Sequence, residues 1–130
     1  MTAGEPRPGV GIDLIEVERL ERALERRPGL AQRLFRPGEL AYAGSRRRPA
    51  MHLAARFAAK EAAVKALRTR AIPLRDFEVA GGGRHAPSLR LHGAAADHAT
   101  RHQIELDLSL THTATMAAAV VQARPASGKD

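Results

Sequence analysis

Arg56-Phe57-Ala58-Ala59-Lys60-Glu61-Ala62-Ala63-Val64-Lys65-Ala66-Leu67 decides the fold. The run is rich in alanine and free of glycine and proline, so it reads as the middle of a long helix. At about 100° per residue, Glu61, Lys65 and Arg68 share one face, with Ala54, Phe57 and Ala58 beside Glu61. A carboxylate set among small apolar groups is costly unless it has a partner or a cation. Glu61 is then either half of an exposed helix pair with Lys65, worth about 0.3–0.5 kcal/mol, or part of a site. A second acid upstream, Asp13 in Gly11-Ile12-Asp13, brings the site reading into play.

Bulk composition narrows the classes. A chain of 130 residues suits one domain with one core. The absence of cysteine excludes a disulfide framework, a thiolate nucleophile and a Cys-type zinc site. No apolar run is long enough to span a membrane, and residues 1–8 lack the apolar centre of a signal peptide, so the expectation is a cytoplasmic protein without a membrane partner. The formal net charge of +7 is nearly all arginine, with lysine only at Lys60, Lys65 and Lys129. Such a balance attracts phosphates, nucleic acid or an acidic protein. Nucleic acid is disfavoured by an aromatic content of 3% with no tryptophan, because single-strand binding needs stacking platforms.

Outward from the helix, residues 1–8 read as a flexible arm, residues 9–122 as one domain, and residues 123–130 as a flexible polar tail. Residues 9–14 alternate as a short strand, with Val10, Ile12 and Leu14 on one face and Gly9, Gly11 and Asp13 on the other. The bare face lets another element or a ligand come close. Asp13 itself reads either as an acid at the start of the next helix or as a site residue. That helix, residues 16–27, carries an apolar stripe of Val17, Leu20 and Leu24. Arg19, Arg22 and Arg26 form a second stripe on its far side, which is either a solvated face or a rail for an acidic helix.

Two short helical pieces follow before the arginine run Arg46-Arg47-Arg48, and Pro49 opens the long helix. Strands at 75–80 and 88–92 flank the Gly81–Gly83 loop, which lacks the lysine and helix of a phosphate-cradling motif. A helix at 93–102 places His98 and His102 one turn apart, without a third ligand for zinc. Strands at 104–110 and 116–122 flank a turn at Thr111-His112-Thr113. The expected fold is α+β: a mainly antiparallel sheet packed against one long helix.

Three segments stand together in a familiar order. They are Gly11-Ile12-Asp13 with Arg19; Arg56-Phe57-Ala58-Ala59-Lys60-Glu61-Ala62 with Lys65; and Ser109-Leu110-Thr111-His112-Thr113. Over about residues 9–122 the chain resembles the bacterial holo-acyl-carrier-protein synthases, the short type of 4′-phosphopantetheinyl transferase. The resemblance implies transfer of phosphopantetheine from coenzyme A to a serine of an acidic apo carrier protein, with Mg²⁺ held by Asp13 and Glu61. It makes Asp13, Glu61 and Lys65 the catalytic set, with Lys65 reaching the phosphates. Arg56, with Arg47 and Arg48, would hold the 3′-phosphate of coenzyme A, and His112 would lie near the same nucleotide. Arg19, Arg22 and Arg26 would dock the carrier, and the assembly would be a homotrimer with sites between subunits.

One departure stands out. Arg68-Thr69-Arg70 replaces the Gly-Thr-Gly segment usual after the lysine helix. A glycine there would end the helix at positive φ, and the two arginines would compensate by contacting phosphate. The alternatives are a relative that binds coenzyme A or carrier without transfer, and a basic nucleic-acid-binding domain.

Overall fold

The computed structural model describes residues 9–127. The chain runs β1 (Val10–Glu16), α1 (Val17–Arg26), α2 (Leu30–Leu34), α3 (Pro37–Gly44), α4 (Pro49–Leu67), a 3-10 turn (Leu74–Asp76), β2 (Phe77–Gly82), β3 (His85–Leu91), α5 (Gly93–His102), β4 (Ile104–His112) and β5 (Met116–Pro125). None of the described helices is long and apolar enough to cross a membrane.

Helix α4 is 19 residues long and opens on Pro49, whose missing N–H falls where a helix has no acceptor for it. Its alanines are buried on nearly every side, so it is a core helix rather than a surface one. Small side chains let the neighbouring backbone approach closely. At Gly11 a Cβ would stand 1.9 Å from the carbonyl oxygen of Ala62, so β1 lies backbone-first on α4. The bare face of β1 is therefore covered by another element. Its apolar face looks outward, with Val10, Ile12 and Leu14 being 65%, 67% and 64% exposed.

The sheet expected as one is two. β1, β5 and β4 form a three-stranded antiparallel sheet, and β2 and β3 form a separate antiparallel pair. β3 passes into β4 through α5 rather than through a hairpin, and no ladder joins them among the described residues. In the larger sheet Ile12 faces Val120, which faces Ser109.

Several boundaries differ from expectation. β2 runs from Phe77 to Gly82 and β3 starts at His85, so Gly81 and Gly82 are strand rather than loop. Thr111 and His112 belong to β4, paired with Ala118 and Ala117, so the turn begins at Thr113. β5 continues to Pro125, paired with Ile104, so residues 123–125 are strand and not tail. Arg124 stabilises this extension by bonding Asp107 at 2.6 Å and Glu105 at 2.7 Å across the ladder. The expected arm at 1–8 and the end of the tail at 128–130 lie outside the described residues. Asp13 lies within β1, which runs on to Glu16, so it does not start the helix.

A buried ion pair ties the halves of the core. Lys60 Nζ donates to Glu39 Oε1 at 2.8 Å, with both side chains fully buried. Lys60 also donates to the carbonyl of Phe77. Glu39 accepts the N–H of Val79 at 3.0 Å and that of Arg36 at 2.9 Å. One pair of opposite charges thus holds α3, α4 and β2 together with its polar atoms satisfied, as a buried pair requires.

Candidate active site

Strand β1 and helix α4 bring together Asp13, Glu61 and Lys65. Because β1 alternates, Asp13 points to the same side as Gly11, towards α4. Lys65 Nζ donates to Asp13 Oδ1 at 3.0 Å and to the carbonyl of Ile12 at 2.9 Å. The lysine therefore reaches across to the strand, and the simple Glu61–Lys65 helix pair is not what forms. Glu61, one turn earlier, shares with Asp13 a cleft of about 540 Å³ whose wall includes Arg19, Leu20 and Phe57.

The charge count in this cleft is uneven. The Glu61 carboxyl is held above its ordinary value by burial first and by Asp13 second, with Lys65 opposing. Asp13, Glu16 and Glu61 line the cleft against Arg19, with Lys65 bonded to Asp13, and such an excess of carboxylates suits a divalent metal. Among the described residues no three or more His, Cys, Asp or Glu gather as a metal cage. A cation here would take its remaining ligands from water and substrate oxygens, which is the habit of Mg²⁺. A neighbouring groove on the other flank of Glu61 and Lys65 is lined by Val64, Arg70 and Ile72. Arg68 is turned away from it, with its guanidinium 3.1 Å from where a Cβ on Gly9 would stand.

A second, basic pocket lies around the helix. Arg56 follows a different side of α4, because the five residues to Glu61 amount to about 140° of net rotation. Arg56 Nη2 donates to the carbonyl of Gly81 at 2.9 Å, and its guanidinium lies over the Tyr42 ring at 4.2 Å. Arg46 lies over the same ring at 4.4 Å. His52, His112 and the Gly82–Pro87 loop complete the wall. Arg56 is 4% exposed, and its Nε is left without an acceptor among the described residues. This pocket and the carboxylate cleft share no lining residue.

Arg56 and His112 thus meet as expected, but the arginine run contributes a different member. Arg46 lines the pocket, whereas Arg47 and Arg48 do not. Arg48 donates instead to the carbonyl of Ala114 in the turn before β5. Tyr42 and His52 were not foreseen. His52 stands one turn before Arg56, a spacing visible in the sequence once the helix is phased.

Arg19, Arg22 and Arg26 are exposed along α1 and line a groove that reaches Thr115 and Met116. Arg22 pairs with Glu18 one turn back. Arg19 also lines the carboxylate cleft, so the arginine stripe leads to Asp13 and Glu61.

A strand-borne Asp with a helix-borne Glu and Lys, and a basic pocket on another side of the same helix, suit an enzyme working on phosphate esters. Residues 9–121 match the description of the 4′-phosphopantetheinyl transferase superfamily, and the chain belongs to that family. Among its curated relatives is the holo-[acyl-carrier-protein] synthase of Streptomyces coelicolor, 50% identical, with 87% of this chain and 94% of that protein covered. The solved Mycobacterium tuberculosis acyl carrier protein synthase superposes with a TM-score of 0.75 at 36% identity, over 91% of this chain and 97% of that one. The coenzyme A complex of the Chronobacterium ammoniagenes enzyme gives 0.79 at 28% identity, over 90% and 96%.

Proposed function

We infer that the chain transfers 4′-phosphopantetheine from coenzyme A to a serine of an apo acyl carrier protein. The observation that carries this reading is Asp13, Glu61 and Lys65 converging at the end of an arginine-lined groove. In the transfer, the serine oxygen forms a bond to the pantetheine-bearing phosphorus of the pyrophosphate. The bond from that phosphorus to the bridging oxygen breaks, adenosine 3′,5′-bisphosphate leaves with the electron pair, and the serine hydroxyl gives up its proton to water. Asp13 and Glu61 are the proposed holders of Mg²⁺, which when bound offsets the charge on the pyrophosphate. Lys65, anchored by Asp13, offers a further positive charge to the transferring group. Arg19, Arg22 and Arg26 offer an acidic carrier a complementary face, which orients its approach.

In this reading the basic pocket takes the 3′-phosphate of coenzyme A through Arg46, Arg56 and His112, with Arg47 and Arg48 outside it. The pocket and the carboxylates lie on different sides of α4. The outward apolar face of β1, continued by Val120 on β5, asks for a cover. Both features support a homotrimer in which the carboxylates of one copy face the pocket of the next. The Arg68-Thr69-Arg70 departure does not favour an inactive relative. Arg68 takes φ 57, the left-handed turn that a glycine would supply.

The test is intact-mass analysis of an apo carrier incubated with the chain, coenzyme A and Mg²⁺. The carrier gains one phosphopantetheine, and chelation of the metal prevents the gain. Unmodified carrier across a panel from the source organism, together with salt-sensitive DNA or RNA binding, would overturn the reading.

A further inference from the structure

His52 has no role in the transfer described so far, yet it sits in the wall of the basic pocket. Its ring meets Tyr42 edge-on at 5.7 Å and His112 edge-on at 5.3 Å between centroids. Every element around it contributes a polar or charged neighbour. α3 supplies Tyr42, the following loop Arg46, α4 Arg56, β4 His112, the turn between β2 and β3 Arg84, and the start of β3 His85. No carboxylate is among the residues that line this pocket. The cations are held together by aromatic contact and by one backbone carbonyl, and the one carboxylate that acts on them, Glu39 on Arg56, lies behind the wall rather than in it.

We propose that His52 is a phosphate-reading residue: it takes up a proton when a phosphate monoester enters the pocket, and so makes the enzyme prefer coenzyme A over dephospho-coenzyme A increasingly as the pH falls. The proposal rests on the assignment of this pocket to the nucleotide end of coenzyme A.

The physical basis is a change in the sign of the surroundings. In the empty pocket His52 is held below its ordinary value, by burial first, then by His112, Arg46 and Arg56. It is therefore neutral near pH 7, and its ring can accept or donate a hydrogen bond according to tautomer. A dianionic phosphate placed among Arg46, Arg56 and His112 reverses the local potential and favours the imidazolium. By linkage, a ligand that draws a proton onto the protein binds more tightly as protons become more abundant. Dephospho-coenzyme A lacks the monoester and draws none. His52 thus provides discrimination that the arginines alone, charged at every accessible pH, do not vary.

The test is calorimetric titration of the Mg²⁺-loaded protein with coenzyme A and with dephospho-coenzyme A from pH 5.5 to 8.5, in two buffers of different ionisation enthalpy. The wild type is expected to take up protons with coenzyme A only. Its preference for coenzyme A should steepen by up to ~10-fold per pH unit for one linked proton. The monoester's own second ionisation, near pH ~6, weakens binding at low pH in every variant, so the comparison between proteins isolates His52. His52→Phe keeps the aromatic edge contacts and His52→Gln keeps a hydrogen-bonding side chain. Both should bind coenzyme A with less proton uptake and show a flatter pH dependence of the preference over dephospho-coenzyme A. Equal proton uptake and equal slopes in wild type and both variants would overturn the role of His52. Absence of coenzyme A binding at any pH is a distinct result: it removes the functional reading itself, and the inference with it.

Discussion

Glu61 is a carboxylate kept at a cost to the fold. Its folded value is raised by burial and by Asp13, so its charged form is penalised relative to the unfolded chain. That penalty is present above the unfolded carboxyl value and fades as pH falls through the raised folded value. Glu61→Gln should therefore leave the melting temperature in metal-free buffer near pH 7 unchanged or higher. The same variant should lose at least ~10²-fold in transfer rate, the scale on which electrostatic stabilisers of a reacting group act. Thermal melts and single-turnover transfer check the two halves separately, and a variant that is destabilised but active would contradict both. Lys60 makes the opposite case. Lys60→Ala leaves Glu39 buried and unpaired, so urea unfolding should show a loss of about 3–5 kcal/mol. At this scale Asp13, Glu61 and Lys65 came together in the sequence only through the resemblance of their motifs to a known family, since residue pattern alone left Asp13 and Glu61 a plain structural reading each. The sequence did not reveal what Lys60 does, since Glu39 is 21 residues away. Nor could Arg46-Arg47-Arg48 be sorted, because a loop has no period to assign faces.

At the scale of elements, the close approach of β1 to α4 depends on one missing methyl group. Gly11→Ala places a Cβ at 1.9 Å from the Ala62 oxygen and 2.8 Å from the Ala66 nitrogen, both backbone atoms that cannot swing aside. Overpacking of this kind costs about 1–3 kcal/mol or more. Because β1 also carries Asp13, chemical denaturation and transfer rate should fall together. The end of α4 is strained in a milder way. Arg68 holds φ 57, where a side chain costs roughly 1–2 kcal/mol relative to the right-handed region. Arg68→Gly should raise the denaturation midpoint, and an unchanged or lower midpoint would show that the packing of Arg68 over Gly9 outweighs the strain. Alanine content without glycine or proline identified α4, and alternation identified β1. Such patterns failed at the ends, because Thr111-His112 and Ala123-Arg124 have turn-like or polar composition. Only the ladder with β5, and Arg124 between Glu105 and Asp107, makes them strand.

At the scale of the molecule, the alternation of residues 9–14 was visible but the side facing the core was not decided by apolarity. The glycines went inward because α4 demands contact with backbone, which left Val10, Ile12 and Leu14 outside. Burying such residues in an assembly is worth about 1.5–3 kcal/mol for each side chain fully covered. Ile12→Arg should therefore give a monomer by light scattering, with its secondary structure intact and its transfer activity lost. The most direct measurement mixes two inactive variants. Glu61→Gln lacks a carboxylate, and Arg56→Ala lacks the basic pocket. If carboxylates and pocket work together only between copies, subunit exchange rebuilds complete sites in about a quarter of the interfaces of random trimers. Transfer should then return to a comparable fraction of the wild-type rate. No recovery, with native mass spectrometry showing that mixed trimers have formed, would contradict a site shared between subunits.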